Sequence, residues 1–568
     1  MEKQSRRILW IQGTVLFAIS IIISGYSKYS GNHSVQVPLI LSAKNPNLFP
    51  NDPFISTLIY YPSPIWRLIA FLSGFITLET LLLFLFLITR ALTLFAASNL
   101  ALSFYPGSWL APVGAMTFFA LIPSPLFGHG TLVINYFEHT SLSMAFLILA
   151  VSAFYKKKYF TWMIFLTLGF YINIMNGSYA FLYLAAVFLF DADYRTNWKK
   201  WVPPFLLFLL LASPVILSTL SSFNYKDFNR ELWIQVSKIR QPYHLFPLSW
   251  EPYRYNLFLA LIFFTGISLY QSKQEKRKLY NHYLVWSAVA IIFLACAFAA
   301  AYILRSPAFL SMQIGRGTDL WFVFSVVAMI SAFSYLVERN STIKQLYTVL
   351  YIVSIFWVWF FEFPILIEMI FIIVAIFIIW PPAWKSIFQN GNPFRLTNLV
   401  LSIILLLGLS QFSIKTYSDK VISLMIQPSS QILEVSRWAK ENTSIEDMFL
   451  IDPNWDEFRA LSQRPVYVTW KDGTAMLWKR DFINEWVPRI EAFGFDFYKT
   501  DQVGTPEGMN HLSRLYNKLD DSQVLKLAEK YPIRYWVAPN NLSSQFPVLY
   551  QTSAYKVLRI ATGGENDG

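Results

Sequence analysis

The sequence predicts an all-α polytopic membrane domain, with about 12 to 14 transmembrane helices, followed by a small C-terminal extracytoplasmic α/β domain. Three observations predict it. Of 568 residues, 55% are hydrophobic, 18% aromatic and 14% charged, where a soluble chain carries about 25% charged residues. Apolar runs of about the 20 residues that cross a bilayer recur down the chain as far as residue 415. Beyond them, residues 418–568 return to ordinary polarity.

The first run, from Ile8 to Gly25, lacks the small-residue cleavage pattern of a secretory signal peptide and reads as a retained span. Lys and Arg in short loops mark the cytoplasmic side, so Lys3, Arg6 and Arg7 place the N-terminus inside. A second span, Trp66 to Thr89, then returns to Arg90. The later basic clusters are Lys156-Lys157-Lys158, Arg195 with Lys199-Lys200, Lys273 through Lys278, Arg339 with Lys344, and Lys385 with Arg395. Two apolar runs lie between successive clusters, the parity that a consistent topology demands. The outer loops are then 26–64, 172–177, 223–253, 304–318 and 361–364, together with everything after Tyr417. Residues 91–139 have to cross an odd number of times, although Pro106-Gly107 and Pro123-Ser124-Pro125 break them into short pieces. The pattern predicts a multi-pass protein of the cytoplasmic (inner) membrane, with a cytoplasmic N-terminus and an extracytoplasmic C-terminal domain.

The C-terminal domain alternates helical and strand patterns. Helices are expected at Ser430–Glu441, Trp478–Phe493 and Ser522–Lys530. Strands are expected at Met448–Ile451, Pro465–Trp470, Arg534–Ala538 and Tyr555–Ile560. No Gly-rich phosphate loop opens any of these helices. The lone Cys296 sits in an apolar run and excludes an intramolecular disulfide. The net charge of +12 is held in short loops between spans, so membrane orientation accounts for it and nucleic acid is not called for.

Several side chains could carry chemistry on the outer side. Asp52, in Asn51-Asp52-Pro53, could take a proton from an attacking hydroxyl; the same pattern also makes a helix N-cap with proline in the first turn. Glu138 and His139 precede the span that ends at the lysine triplet. They could orient a sugar hydroxyl or a metal ion, or serve as the acidic start of a helix. Arg240 and His244, amid Tyr, Phe and Pro, suit a phosphate at the interface, or a belt that anchors the loop. Arg316 enters a span three residues before Asp319, at a depth where charge is expensive. It could hold a phosphate leaving group or simply pair along a helix. Glu79 and Glu368 lie inside apolar runs and are given structural roles. The six His residues are scattered, so a dedicated His metal cage is not expected.

The stretches Asn47-Leu48-Phe49-Pro50-Asn51-Asp52-Pro53-Phe54 and Arg240-Gln241-Pro242-Tyr243-His244 occur with a C-terminal Trp438-Ala439-Lys440-Glu441-Asn442-Thr443. They are followed by Asp452-Pro453 and Arg464-Pro465-Val466-Tyr467-Val468-Thr469-Trp470-Lys471. On these stretches the chain resembles the GT-C superfamily of integral-membrane glycosyltransferases, which use polyprenyl-phosphate-linked sugars. The resemblance implies an acidic base or metal-anchoring group in the first outer loop, which falls on Asp52, and a second acid in a later loop, which falls on Glu138. Arg240, His244, Arg316 and His139 are expected to bind the substrate. It names no certain cofactor and leaves a divalent metal ion open. The chain departs from protein mannosyltransferases, which carry a paired Asp-Glu in the first loop. It departs from oligosaccharyltransferases by reading Trp470-Lys471-Asp472 where they have Trp-Trp-Asp. A glycan or lipid acceptor is therefore expected, with inversion at the anomeric carbon, and Asp52→Asn is expected to abolish transfer. The alternatives are a polymerase or ligase of lipid-linked polysaccharide repeats, a transporter or flippase, and a non-catalytic scaffold.

Overall fold

The computed structural model describes residues 3–121, 125–126, 130–221, 227–339, 425–426, 428–499 and 505–560. Lys344, Lys385, Arg395, Glu368, the expected loop 361–364 and the boundary at residues 417–418 lie outside the described residues.

Among the described residues, five helices are long and apolar enough to cross a membrane: Arg7–Ser24, Leu78–Phe104, Trp198–Thr219, Lys276–Ile303 and Ile314–Leu336. Four shorter apolar helices, Leu110–Leu121, His139–Tyr155, Tyr159–Ile172 and Ile174–Phe190, pack among them. Alternate helix ends meet at two levels. At the opposite end from the C-terminal domain, the Tyr105 hydroxyl meets Ser272 Oγ at 2.7 Å, Ser108 Oγ donates to Glu338 at 3.1 Å, and His282 Nε2 lies 2.6 Å from Asp191. At the end that carries the C-terminal domain, Asn173 Nδ2 donates to Thr140 Oγ1 at 3.2 Å and Ser63 Oγ to the Ile172 carbonyl at 2.7 Å. Close helix contact uses small residues. A Cβ added at Gly169 would sit 2.5 Å from Leu147 Cδ2.

Two expectations about the bundle change. The expected span Trp66–Thr89 is two helices, Ile65–Leu72 and Leu78–Phe104. They break at Thr77, whose hydroxyl accepts the Thr80 N–H at 3.4 Å. Arg90 is therefore no loop cation. It lies inside the second of these helices, and its Nη2 donates to Ser24 Oγ at 3.2 Å and to the Ile134 carbonyl at 2.9 Å. The stretch 91–139 resolves as the remainder of that helix, a turn at Pro106-Gly107, the buried helix Leu110–Leu121, and a two-stranded ribbon pairing Pro125–Leu126 with Gly130–Thr131. At 1.5 Å per residue, a 12-residue helix runs about 18 Å. Its neighbours rather than lipid cover it, with Ala111, Ala115 and Phe119 fully buried.

The first loop does not hang free. Helix His33–Lys44 is buried over its first eight residues, and Tyr26–Ser27 pairs in parallel with Met425–Ile426. A second core joins this loop to helix Arg230–Arg240 and to the C-terminal domain through Phe54, Trp66, Trp233, Ile239, Trp470 and Trp486. In that domain the sheet runs Met448–Leu450, Ile533–Pro539, Tyr555–Arg559, Val548–Gln551, with a parallel first pair and antiparallel others. Helices form at Ser430–Asn442 and Asp521–Lys530, in keeping with the sequence pattern. Pro465–Trp470 is not a strand: it makes a single bridge, Val466 to Phe449, before a 3-10 turn at Lys471–Leu477. Helix Thr505–Tyr516 and strand Val548–Gln551 were not foreseen.

Candidate functional site

Asp52 takes the N-cap of helix Pro53–Thr57. Its Oδ1 accepts from the Phe54 and Ile55 amides at 3.1 and 3.4 Å. Left-handed backbone at Phe49 and Asn51, with φ of 63° and 61°, turns the chain sharply ahead of it. The other oxygen, Oδ2, accepts from Arg459 Nε at 2.8 Å and from the Val466 amide at 3.0 Å. Arg459 reaches on with Nη1 and Nη2 to both oxygens of Asp472, at 2.9 and 3.1 Å. The guanidinium bridges two carboxylates, and all three side chains are buried. Burial pushes the Asp52 carboxyl upward, while Arg459 and the Val466 amide pull against that shift. With two such donors in contact, we take the ionised pair as the resting form. Neither oxygen is left to meet a substrate hydroxyl, so the geometry makes Asp52 a clamp between the first loop and the C-terminal domain.

Arg240 has the same orientation. Its Nε donates to the Trp470 carbonyl at 2.9 Å, and Nη2 to the Lys471 carbonyl and Thr474 Oγ1 at 3.0 and 2.6 Å. Arg240 is buried and engaged with residues 470–474 rather than with a phosphate at the interface. The His244 ring stacks edge-on to Tyr243, with centroids 4.5 Å apart.

Glu138 and His139 build a second, separate cluster. Glu138 caps helix His139–Tyr155. Its Oε1 lies 2.5 Å from His139 Nδ1, Asn32 Nδ2 donates to Oε2 at 3.0 Å, and Gln36 Nε2 lies 3.2 Å from both oxygens. Burial alone would raise this carboxyl. Its contact with the His139 ring and the hydrogen bonds from Asn32 and Gln36 outweigh that and hold Glu138 down at about 2. A carboxylate against Nδ1 fixes the ring proton there, which leaves Nε2 to accept a proton. Trp66 and Tyr61 pack against the His139 ring at 5.5 and 6.1 Å. Trp478 of the C-terminal domain lies edge-on over Tyr61 at 4.9 Å and donates to the Thr57 carbonyl at 3.2 Å. His33, bonded to the Phe137 carbonyl at 2.9 Å, is driven by burial to about 4 and is neutral.

Arg316 lies in the turn Ile314–Gly317 that enters the last described span. Burial and the charge of Glu138 push the Tyr61 phenol upward, against the hydrogen bond to Gln36 and the charge of Arg316. Arg316 Nη1 donates to Gln313 Oε1 at 3.0 Å. Its Nε stands 4.0 Å from Asp319, so the guanidinium is held loosely. Asp319 Oδ1 is buried without a hydrogen-bond partner among the described residues.

Of the six expected site residues, Glu138 and His139 meet directly, Asp52 and Arg240 hold the C-terminal segment in place, Arg316 bonds to Gln313 and His244 packs on Tyr243. Asn32, Gln36, Tyr61, Arg459 and Asp472 were not foreseen as site or clamp residues. Among the described residues, no three His, Cys, Asp or Glu side chains could hold a metal ion together. The amides of Asn32 and Gln36 point N–H groups at Glu138, a set that suits a bare carboxylate rather than a cation.

Residues 430–493 match the family described as Domain of unknown function (DUF6798), a range that contains Arg459 and Asp472. No curated protein sequence matches the chain. Among solved structures, the chain is similar to the oligosaccharyltransferase of Archaeoglobus fulgidus tethered with an acceptor peptide (14% identity, 94% of this chain and 69% of that one, TM-score 0.43). It is similar to the arabinofuranosyltransferase AftD from Mycobacteria (12%, 95% and 35%, TM-score 0.48). It is also similar to ArnT from Cupriavidus metallidurans bound to undecaprenyl phosphate (10%, 99% and 99%, TM-score 0.38).

Proposed function

We propose that the chain moves a sugar from a polyprenyl-phosphate carrier to a glycan or lipid acceptor at the outer face of the cytoplasmic membrane, with Glu138 and His139 as its proton-handling pair. The observation that carries this reading is the 2.5 Å contact between the two, both buried, with Tyr61 and Trp66 packed against the His139 ring. Glu138 orients the imidazole, and His139 Nε2 takes the proton of the acceptor hydroxyl. The acceptor oxygen attacks the anomeric carbon with inversion, the bond from that carbon to the carrier's phosphate oxygen breaks, and the phosphate leaves as an anion. We assign Arg316 to stabilising that developing charge, the kind of interaction that often contributes most to such reactions. Asp52 and Arg240 act at a distance, by seating Trp478 and residues 459–474 over the pocket.

The full-length chain in proteoliposomes, supplied with polyprenyl-phosphate-linked hexoses and pentoses and candidate acceptors, tests the proposal through release of lipid phosphate. His139→Gln and Glu138→Gln should each lower turnover by about 100-fold or more. Undiminished turnover in both variants sinks the assignment. Glycan profiling of a deletion strain separates the alternatives: a truncated glycan means transfer, and an accumulated repeat unit means polymerisation or export.

A further inference from the structure

Helix Ile65–Leu72, the first piece of the broken span, is apolar on two sides. Its inner side is buried through Trp66, Ile69 and Ala70. The Trp66 indole meets the rings of Phe137 and His139 edge-on, each at 5.5 Å between centroids. Lys44 Nζ donates to the Ser73 carbonyl at the helix C-terminus at 3.0 Å, so the helix is fixed at both ends. The outer side carries Leu68 and Phe71, followed by Phe75 and Ile76, and all four keep half or more of their surface exposed. Phe71 and Phe75 meet edge-on at 5.3 Å. Ile59, equally exposed, lies beside this face, since its carbonyl accepts from Arg67 Nη2 at 3.5 Å.

An eight-residue helix is about 12 Å long, too short to cross a hydrocarbon core of about 30 Å. Surfaces that face water rarely gather so many large apolar side chains in one stretch. Between Pro53 and Leu78 the sequence holds a single charged residue, Arg67, and it is exposed among them. The segment runs directly into helix Leu78–Phe104, which is long and apolar enough to cross a membrane. There Phe84, Ile88 and Phe95 are exposed in their turn, so the apolar surface of the short helix continues one that faces lipid. A short apolar helix with one cation on its outer side suits the plane of the membrane interface. The guanidinium of Arg67 can reach headgroup level while its stem stays in apolar surroundings.

We propose that Ile59, Leu68, Phe71, Phe75 and Ile76 form a docking surface for the membrane leaflet on the side of the C-terminal domain. Their side chains lie among acyl chains, and Arg67 lies against phosphate headgroups. The partner is the lipid bilayer, not a second copy of the chain or another protein. One short helix thus meets lipid on its outer side and braces His139 through Trp66 on its inner side, and the docking requires no transfer activity.

Full-length protein in nanodiscs of phosphatidylcholine and phosphatidylglycerol tests this with nitroxide labels, on a Cys296→Ser background that removes the sole native cysteine. Labels go on Leu68→Cys, Phe71→Cys and Phe75→Cys. Phe84→Cys on the span and Tyr498→Cys on the C-terminal domain, both exposed positions, serve as lipid and water references. Power saturation should find the three labels open to oxygen and shielded from a water-soluble nickel chelate, as at Phe84. Arg67→Cys should fall between the two references. Wild type guards against misfolded variants. Under hydroxyl radicals, its peptide holding Phe71 and Phe75 should be oxidised about tenfold more slowly than the one holding Tyr498, as acyl chains exclude water from an interfacial apolar face. Nickel access at the three labels equal to that at Tyr498 overturns the proposal, and so does oxidation of the two peptides at one rate. Labels shielded from both oxygen and nickel overturn it as well, because protein rather than lipid would then cover the face.

Discussion

Asp52 and Arg459 stand 407 residues apart in the chain and 2.8 Å apart in the fold. Through that contact a loop between two N-terminal helices is pinned to the C-terminal domain, with Asp472 on the far side of the same guanidinium. Removing one member of a buried ion pair costs about 3–5 kcal/mol because the other is left uncompensated. Arg459→Ala should therefore be the most damaging single change here, since it strands two carboxylates. The double variant Asp52→Ala with Arg459→Ala should melt higher than Arg459→Ala alone, a non-additivity expected of contacting charges. Melting in detergent measures it, and strictly additive losses would contradict the bridge.

Asp52→Asn separates clamp from catalyst. The resemblance to the GT-C superfamily makes Asp52 the expected base, whose loss should abolish transfer. The geometry instead predicts a lower melting temperature for Asp52→Asn with turnover per folded molecule within about tenfold of wild type, a range smaller than loss of a general base gives. His139→Gln should lower the melting temperature too, since it removes a buried partner of Glu138, but it should also lose turnover per folded molecule by about 100-fold. Measuring both quantities on both variants decides which residue handles the proton.

Much of the architecture was legible in the sequence because its signals are local. Apolar run length and loop charge are properties of neighbouring residues, so the helices and the placement of Lys156, Arg195 and Lys199 at one end of the bundle could be read directly. The capping of helices by Asp52 and Glu138 was equally local, since each directly precedes its helix. What escaped depends on contacts between distant segments. Nothing near Arg459 announces Asp52, and Gln36 reads as a stray amide in an apolar helix until Glu138 is folded against it. Arg90 was misread for the opposite reason: a basic residue at the end of an apolar run imitates a loop cation, and only the helix continuing to Phe104 reveals it as buried.

Acid should act on Glu138 first. Its folded value, about 2, lies below the ordinary 4.5, so the ionised group favours the folded state. That contribution is complete above about pH 4.5 and is lost as pH falls toward 2. The displacement corresponds to the order of 3 kcal/mol. Between pH 5 and 3 the melting temperature of wild type should fall more steeply than that of Glu138→Gln, which carries no titrating group at this position. Parallel curves for the two proteins would show that Glu138 is not held ionised by His139, Asn32 and Gln36.

Gly473 tests the other half of the clamp. A Cβ there would lie 2.6 Å from Arg240 Nε, 2.7 Å from its Cδ and 2.9 Å from Trp486 Cε2. The first two atoms belong to a side chain already fixed by hydrogen bonds to residues 470–474, and the third to a fully buried indole, so neither can retreat cheaply. Overpacking of this kind costs about 1–3 kcal/mol, and Gly473→Ala should lower the melting temperature accordingly. Arg240→Ala removes the obstruction along with the hydrogen bonds. On that background Gly473→Ala should cost less than it does in the wild type. Limited proteolysis gives the matching structural reading, with cleavage between residues 459 and 479 faster in either single variant than in wild type. Equal penalties for Gly473→Ala with and without Arg240 would mean that the two do not meet, and that the C-terminal segment is seated by Asp52 alone.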